Sequence, residues 1–148
     1  MTDRVHDGSE QDLEPSRLTD EEFVQAVEEC RIPGTSFHHR DHVRLAWAYL
    51  NRYPFPEASD RMVASIKRFA MHNAGNLEKY HETVTRSWMR LVNAAIRENG
   101  CGPGFDAFAK GSPELFETKV LSLYYSKEQL NGSEARATWV EPDIQPLP

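Results

Sequence analysis

Histidines at the starts of two predicted helices are the residues of this sequence best suited to chemistry. Three of them open the helix predicted over residues 35–50: His38, His39 and His42. A fourth, His81, opens the helix predicted over residues 76–97. Imidazole is a common metal ligand and also a general acid and base near neutral pH. These positions therefore predict a metal site or a proton-transfer site.

Helical periodicity decides which histidines point inward. At roughly 100° per residue, His39 lies at the centre of the apolar face of the first helix, and His42 follows one turn later. His38 lies at the edge of that face, and its i,i+4 spacing from His42 also permits a shared ion. His81 lies in the middle of the apolar face of the second helix. A buried imidazole costs free energy unless its nitrogens are paired. We therefore predict that His39, His42 and His81 bind a divalent metal between the two helices, with His38 as the alternative to His39 in the pair with His42.

The predicted ligand set favours a catalytic metal site. Three histidines leave coordination positions open for water or substrate, which is typical of catalytic zinc sites. Zn and Fe(II) are the predicted ions, with Mn and Ni as alternatives, and a carboxylate ligand from Glu82 would favour Fe(II) or Mn. Glu82 could instead serve as the general base that takes a proton from bound water. Thr85 and Tyr80 would then position the substrate.

Three further residues are predicted to bind the substrate. Arg136 could pair with an anionic group such as a carboxylate. Trp47 and Trp88 each lie in line with a histidine face, where they would wall the pocket and keep it dry. Ordinary core packing is the alternative for both indoles.

The elements that must position these residues are helices. The predicted fold class is all-α, a compact bundle of about five helices in a single domain over residues 18–148. A disordered tail is predicted for residues 1–17, which are polar and acidic. One helix is predicted over residues 113–125, and an extended proline-rich strap closes the chain. On the first histidine helix the polar face carries Arg40, Asp41 and Arg44.

Composition excludes several classes of function. The formal net charge is −6, and no run of Lys or Arg suggests a surface that follows phosphates, so nucleic-acid binding is not expected. No apolar stretch approaches the roughly 18 residues of a membrane span. The amino-terminal residues do not resemble a signal peptide, and the two cysteines suit a reducing compartment. We predict a cytoplasmic protein with a small-molecule substrate, and the sequence leaves its oligomeric state open.

Two blocks of this sequence resemble a family of small bacterial proteins of unknown function. The first block is Phe37-x-His39-x-x-His42 followed by Leu45-Ala46-Trp47, and the second is Lys79-Tyr80-His81-Glu82-Thr83-x-Thr85. The tail, with Tyr124-Tyr125-Ser126, Ala135-Arg136 and Glu141-Pro142-Asp143, is similar too, so the resemblance covers about residue 18 to the end. It implies the pattern F-x-H-x-x-H with Y-H-E-T, which agrees with the choice of His39 over His38. It implies no particular reaction.

Three interpretations of the histidines follow from the sequence. The leading one is a metal-dependent enzyme that hydrolyses, isomerises, transfers or oxidises a small molecule. The second is a non-catalytic binding or accessory module whose histidines are hydrogen-bonded core residues. The third is metal-free acid–base catalysis by the same histidines with Glu82. The first requires His39, His42 and His81 to converge within roughly 2.0–2.1 Å of one ion, whereas the second requires separate hydrogen bonds and no shared cavity.

Overall fold

The computed structural model describes residues 13–148, which form seven α-helices and no β-strand. Their bounds are α1 (Asp20–Glu28), α2 (His39–Arg52), α3 (Phe55–Ala74), α4 (Glu82–Asn99), α5 (Phe105–Gly111), α6 (Lys127–Asn131) and α7 (Ser133–Ala137). Four short 3-10 helices, Pro15–Arg17, Gly34–Ser36, Pro113–Phe116 and Thr118–Leu123, lie between them. Five of the α-helices have at least seven residues, so the predicted all-α fold is confirmed.

Helix α2 lies at the centre of the bundle. It packs against α1, α3, α4 and α5, and α3 and α4 also pack against each other. Most of its apolar face is buried, as the periodicity predicted, while Leu50 at its end is partly exposed. The fully buried side chains of α2 are Val43, Leu45, Ala46 and Tyr49. Both histidine-bearing helices are therefore held side by side by the main core.

The two histidine helices begin later than predicted. Helix α2 starts at His39 rather than residue 35, because His38 is extended and its N–H donates to the Asp41 carboxylate over 2.8 Å. Helix α4 starts at Glu82 rather than residue 76, and His81 is its N-cap. In each case a histidine takes a position that Ser, Thr, Asp or Asn usually fills.

The segment over residues 113–125 is not the single α-helix that was predicted. It forms two 3-10 helices separated by Glu117, whose backbone is extended. The Leu115 carbonyl accepts a hydrogen bond from the His39 ring over 2.9 Å. In an α-helix that carbonyl would accept from the main chain four residues later, so the side-chain bond competes with regular helix.

The carboxyl-terminal segment forms the predicted strap. After Ala137 the chain has no helix. It lies across α4 and the end of the 3-10 helix Thr118–Leu123. The Val140 N–H donates to Thr83 Oγ1 over 3.1 Å, and the Tyr125 hydroxyl donates to the Val140 carbonyl over 2.7 Å. The Ile144 N–H donates to the Tyr124 carbonyl over 2.9 Å.

The predicted tail of residues 1–17 lies mostly outside the described residues. Residues 15–17, which the prediction placed in that tail, form a 3-10 turn in which Pro15 is buried. Among the described helices, none combines the length and the hydropathy that crossing a membrane requires.

Candidate functional site

The predicted histidines meet at one cavity, which we call the histidine cavity. Its volume is about 280 Å³, and its walls come from α2, α3, α4 and the loop before α4. Six residues predicted for the site line it: His39, His42, Tyr80, His81, Thr85 and Trp88. The sequence therefore identified residues that converge in space.

His42 is the histidine best placed to accept a proton. Its Nδ1 donates to the His38 carbonyl over 3.2 Å, which leaves a lone pair on Nε2 if the ring is neutral. Burial lowers the pKa of His42, and the nearby His39 lowers it further, while the His38 carbonyl and the Asp41 carboxylate act in the opposite direction. Burial prevails, so the ring is neutral at pH 7. Among the described residues, Nε2 has no hydrogen-bond partner.

His39 is fixed by main chain and by an indole. Its Nε2 lies 2.9 Å from the Leu115 carbonyl, to which it donates. The ring packs edge-on against Trp88 with centroids 4.6 Å apart. Within the described part of the chain, Nδ1 makes no hydrogen bond. His39 and His42 thus each bring one free ring nitrogen to neighbouring turns of α2.

Both ring nitrogens of His81 form hydrogen bonds with the backbone. Nδ1 accepts from the Val84 N–H over 3.2 Å and caps α4, and Nε2 donates to the Leu130 carbonyl over 2.7 Å. Val84 and Leu130 belong to different elements, so this ring ties the start of α4 to α6. His81 therefore lines the cavity and also has a structural role.

Glu82 does not line the cavity. One oxygen accepts from the Tyr80 hydroxyl over 2.8 Å and the other from Arg86 Nε over 2.5 Å. Partial burial alone would raise the pKa of Glu82, but the bonds from Arg86 and Tyr80 outweigh it and the pKa falls. Burial and the bond to Glu82 raise the pKa of the Tyr80 phenol. Glu82 is therefore an ionised group that holds Tyr80, rather than the free base that the sequence suggested.

Three other predicted site residues lie away from the histidine cavity. His38 is exposed and contributes its carbonyl to His42. Trp47 packs against aromatic rings of α5, and its Nε1 donates to the Cys101 carbonyl over 2.9 Å. Arg136 donates to the carbonyls of Glu78 and Tyr80 over 2.9 and 3.2 Å, so it holds the loop before α4 instead of lining the cavity.

Sequence reasoning missed four residues of the wall: Met62, Ile66, Lys79 and Val84. Met62 and Ile66 follow the apolar stripe of α3, and core and cavity positions share the same periodicity. Lys79 directly precedes Tyr80 and His81, and that position next to the histidine motif was the available signal.

The described residues do not form a ready-made metal site. Within them, no group of three or more His, Cys, Asp or Glu side chains is placed to hold one ion. His39 and His42 could each offer a nitrogen, but His81 would first have to release its bond to Val84. The three-histidine metal site therefore stays a proposal.

Comparison with protein-family models, curated proteins and solved structures gives no match for this chain. The family resemblance suggested by the two motifs stays a prediction, and the site has to be interpreted from its own geometry.

The lowered pKa of His42 predicts a pH-dependent stability. The unfolded chain protonates this ring as the pH falls below about 6.5, whereas the folded protein resists protonation. Wild type should therefore lose stability as the pH falls from about 6.5 to the folded-state pKa, and His42→Gln should lose less. Urea unfolding of both proteins at a series of pH values measures the difference. Parallel curves would contradict the lowered pKa.

Proposed function

We propose that the protein is an enzyme that moves a proton on a small molecule bound in the histidine cavity, with His42 as general base. The observation that supports this most strongly is the state of His42: a neutral ring that lines a mainly apolar cavity, is oriented by a main-chain carbonyl, and has an Nε2 without a hydrogen-bond partner among the described residues. A general base must be unprotonated at the working pH, and it works best when its pKa lies near that pH and its position is fixed.

The other wall residues divide the remaining tasks. His39 offers a second ring nitrogen one turn before His42 and can exchange a hydrogen bond or a proton with the same substrate. Trp88 and Ile66 make the wall apolar and exclude water, which strengthens polar interactions inside. Tyr80 and Thr85 also line the cavity, and their hydroxyls donate to Glu82 and to the His81 carbonyl.

Helix ends favour the charge that such a reaction develops. Proton abstraction leaves negative charge on the substrate, and the amino-terminal ends of α2 and α4 both lie at the cavity, at His39 and His81. The partial positive charge at a helix amino terminus stabilises an anion and disfavours an imidazolium ion. The first effect stabilises the anionic product, and the second keeps His42 unprotonated before the reaction while it reduces the basicity of the ring.

The test is a probe reaction whose rate is limited by proton abstraction. In the ring opening of 5-nitrobenzisoxazole, a base removes the ring C–H proton, the N–O bond breaks, and a coloured cyanophenolate forms. Wild type should accelerate this reaction and His42→Gln should not.

A metal-dependent enzyme is the second candidate, and one observation favours it. His39 Nε2 and His42 Nδ1 each donate to a main-chain carbonyl, the partner that orients many metal-bound imidazoles. Their free nitrogens would hold Zn or Fe(II), or Mn or Ni, with His81 as a third ligand if its cap bond opens. The ion would act as a Lewis acid or lower the pKa of bound water.

Metal content and chelation separate the two candidates. With His42 as base, turnover of the probe should survive excess EDTA, because no step requires an ion. The metal-dependent candidate predicts near-stoichiometric metal in protein purified without an affinity tag, and loss of that metal in His39→Ala/His42→Ala. Elemental analysis of both proteins provides the measurement. Turnover that EDTA abolishes and Zn restores would overturn the metal-free mechanism.

The setting proposed for this enzyme is the cytoplasm. Both cysteines, Cys30 and Cys101, are free thiols, which supports a reducing compartment.

A further inference from the structure

A second cavity, which we call the Phe69 cavity, adjoins the histidine cavity. Its volume is about 520 Å³, and it is lined mainly by α3 and by residues that precede α2. The two cavities share four wall residues: His42, Ile66, Lys79 and Tyr80. The two cavities therefore adjoin at these four residues, and His42 lies where they meet.

Among the described residues that line these two cavities, Lys79 is the one Lys, Arg, Asp or Glu. Lys79 lines both cavities, and no Asp, Glu or Arg belongs to the described lining of either. A third cavity of about 400 Å³ lies beside Trp88 and also has a positive lining. Lys119 and Lys127 belong to it, and its described lining contains no Asp or Glu. The whole chain has a formal net charge of −6, so this bias runs against its composition. A positive lining in an acidic protein favours an anionic ligand.

The helix ends support the same sign independently of the lysines. His39 is the first residue of α2, His81 is the N-cap of α4, and both line the histidine cavity. Two helix amino termini therefore face one small volume, and each carries a partial positive charge.

We infer that the ligand is an elongated, mainly apolar carboxylic acid, with its carboxylate beside Lys79 and its hydrocarbon part in the histidine and Phe69 cavities. A single lysine balances the one charge of a carboxylate, whereas a phosphate monoester carries a charge of roughly −1.5 to −2 at pH 7. The Phe69 cavity lies within the roughly 300–1,000 Å³ of most ligand pockets and the histidine cavity just below it, so a ligand of ordinary size that reaches His42 would extend into the Phe69 cavity. This inference rests on the proposed function, since it names the substrate class of the same site.

Calorimetric titration with four simple compounds tests the inference: octanoate, octan-1-ol, octyl phosphate and butanoate. We expect octanoate to bind one site at least tenfold more tightly than each of the other three. Lys79→Gln should remove its advantage over octan-1-ol, because the paired charge is gone. Ala70→Phe, which fills part of the Phe69 cavity, should remove its advantage over butanoate. Lys110→Gln, on α5 and outside the walls of all three cavities, is the matched control and should change nothing.

The wild-type series decides the inference even if a variant fails to fold. Equal affinity for octanoate and octan-1-ol would overturn the anionic assignment, and tighter binding of octyl phosphate would overturn the carboxylate. His42→Gln should still bind octanoate, because the base is not the anchor. Turnover of 5-nitrobenzisoxazole without saturable octanoate binding would overturn this inference alone and leave the general base in place.

Discussion

Replacement of Arg44 by alanine is expected to lower the free energy of unfolding by about 3 kcal/mol. Arg44 lies on α2 and is only 9% exposed. Its guanidinium donates to Asp20 Oδ1 over 3.0 Å and to the carbonyls of Pro15 and Leu18, each over 2.7 Å. Alanine would leave the Leu18 carbonyl without its donor, and the Pro15 carbonyl and the Asp20 carboxylate would keep only weaker bonds from main-chain N–H groups, each over 3.2 Å. A buried group that loses its partner keeps the full cost of its desolvation.

The loss should extend beyond the ion pair. The Arg44 guanidinium also lies over the Phe23 ring, 4.4 Å from its centroid, and Phe23 is completely buried. This one side chain therefore joins α2 to α1 and to the turn before α1. The variant should loosen the amino-terminal part of the bundle while the histidine cavity, which it does not line, keeps its walls.

Arg40 on the same helix provides the matched control. It lies one turn earlier and pairs with Asp106 over 2.9 Å, but the two side chains are 53% and 90% exposed. Exposed ion pairs contribute about 0–1 kcal/mol, so Arg40→Ala should have a small effect. Urea unfolding followed by circular dichroism measures both variants. Losses of equal size would show that burial is not what distinguishes these two arginines.

The contrast between these arginines also shows what sequence periodicity can predict. Helical periodicity predicted that Arg40, Asp41 and Arg44 lie on the polar face of α2. It predicted that His39 and His42 point inward. The inward prediction follows from local geometry, because every residue advances by the same angle. The burial of Arg44 and Asp41 depends on α1 and the turn at Pro15, which cover that side of the helix. No pattern within α2 carries that information.

The histidine cavity shows the same division between local and tertiary information. The sequence predicted that His39, His42 and His81 would face a common interior, and all three line one cavity. It did not predict their hydrogen bonds, because the Leu115 and Leu130 carbonyls come from segments far along the chain. It assigned Glu82 to chemistry, yet Tyr80 and Arg86 occupy both carboxylate oxygens. The hydrogen-bond partner of a polar side chain is determined by the tertiary fold.

His42→Gln is expected to lower kcat/KM for 5-nitrobenzisoxazole by about 100-fold or more, the range typical of losing a general base. Glutamine has nearly the reach of histidine, and its amide can still donate to the His38 carbonyl. It lacks a basic nitrogen. A loss of rate with an unchanged circular dichroism spectrum and melting temperature therefore reports the loss of the base rather than a collapse of the cavity.

The pH profile of the wild-type rate gives an independent test. The base must be unprotonated, so the rate should rise with pH and level off once His42 is neutral. Because burial lowers the pKa of this ring, the midpoint of the rise should lie below the ordinary histidine pKa of about 6.5. His72→Gln, an exposed histidine on α3 that lines none of these cavities, should leave both the rate and the profile unchanged. A wild-type rate equal to that of His42→Gln would contradict the proposed base.

His39→Gln separates a single base from a pair of imidazoles that work together. If His42 alone takes the proton, loss of His39 should reduce the rate less than loss of His42, and the double variant should resemble His42→Gln. If the two rings act as a unit, each single variant should lose about as much as the double variant, as residues of one catalytic unit do. Their positions on consecutive turns of α2, with separate carbonyl partners, favour the first result, because the described contacts include no hydrogen bond between the two rings.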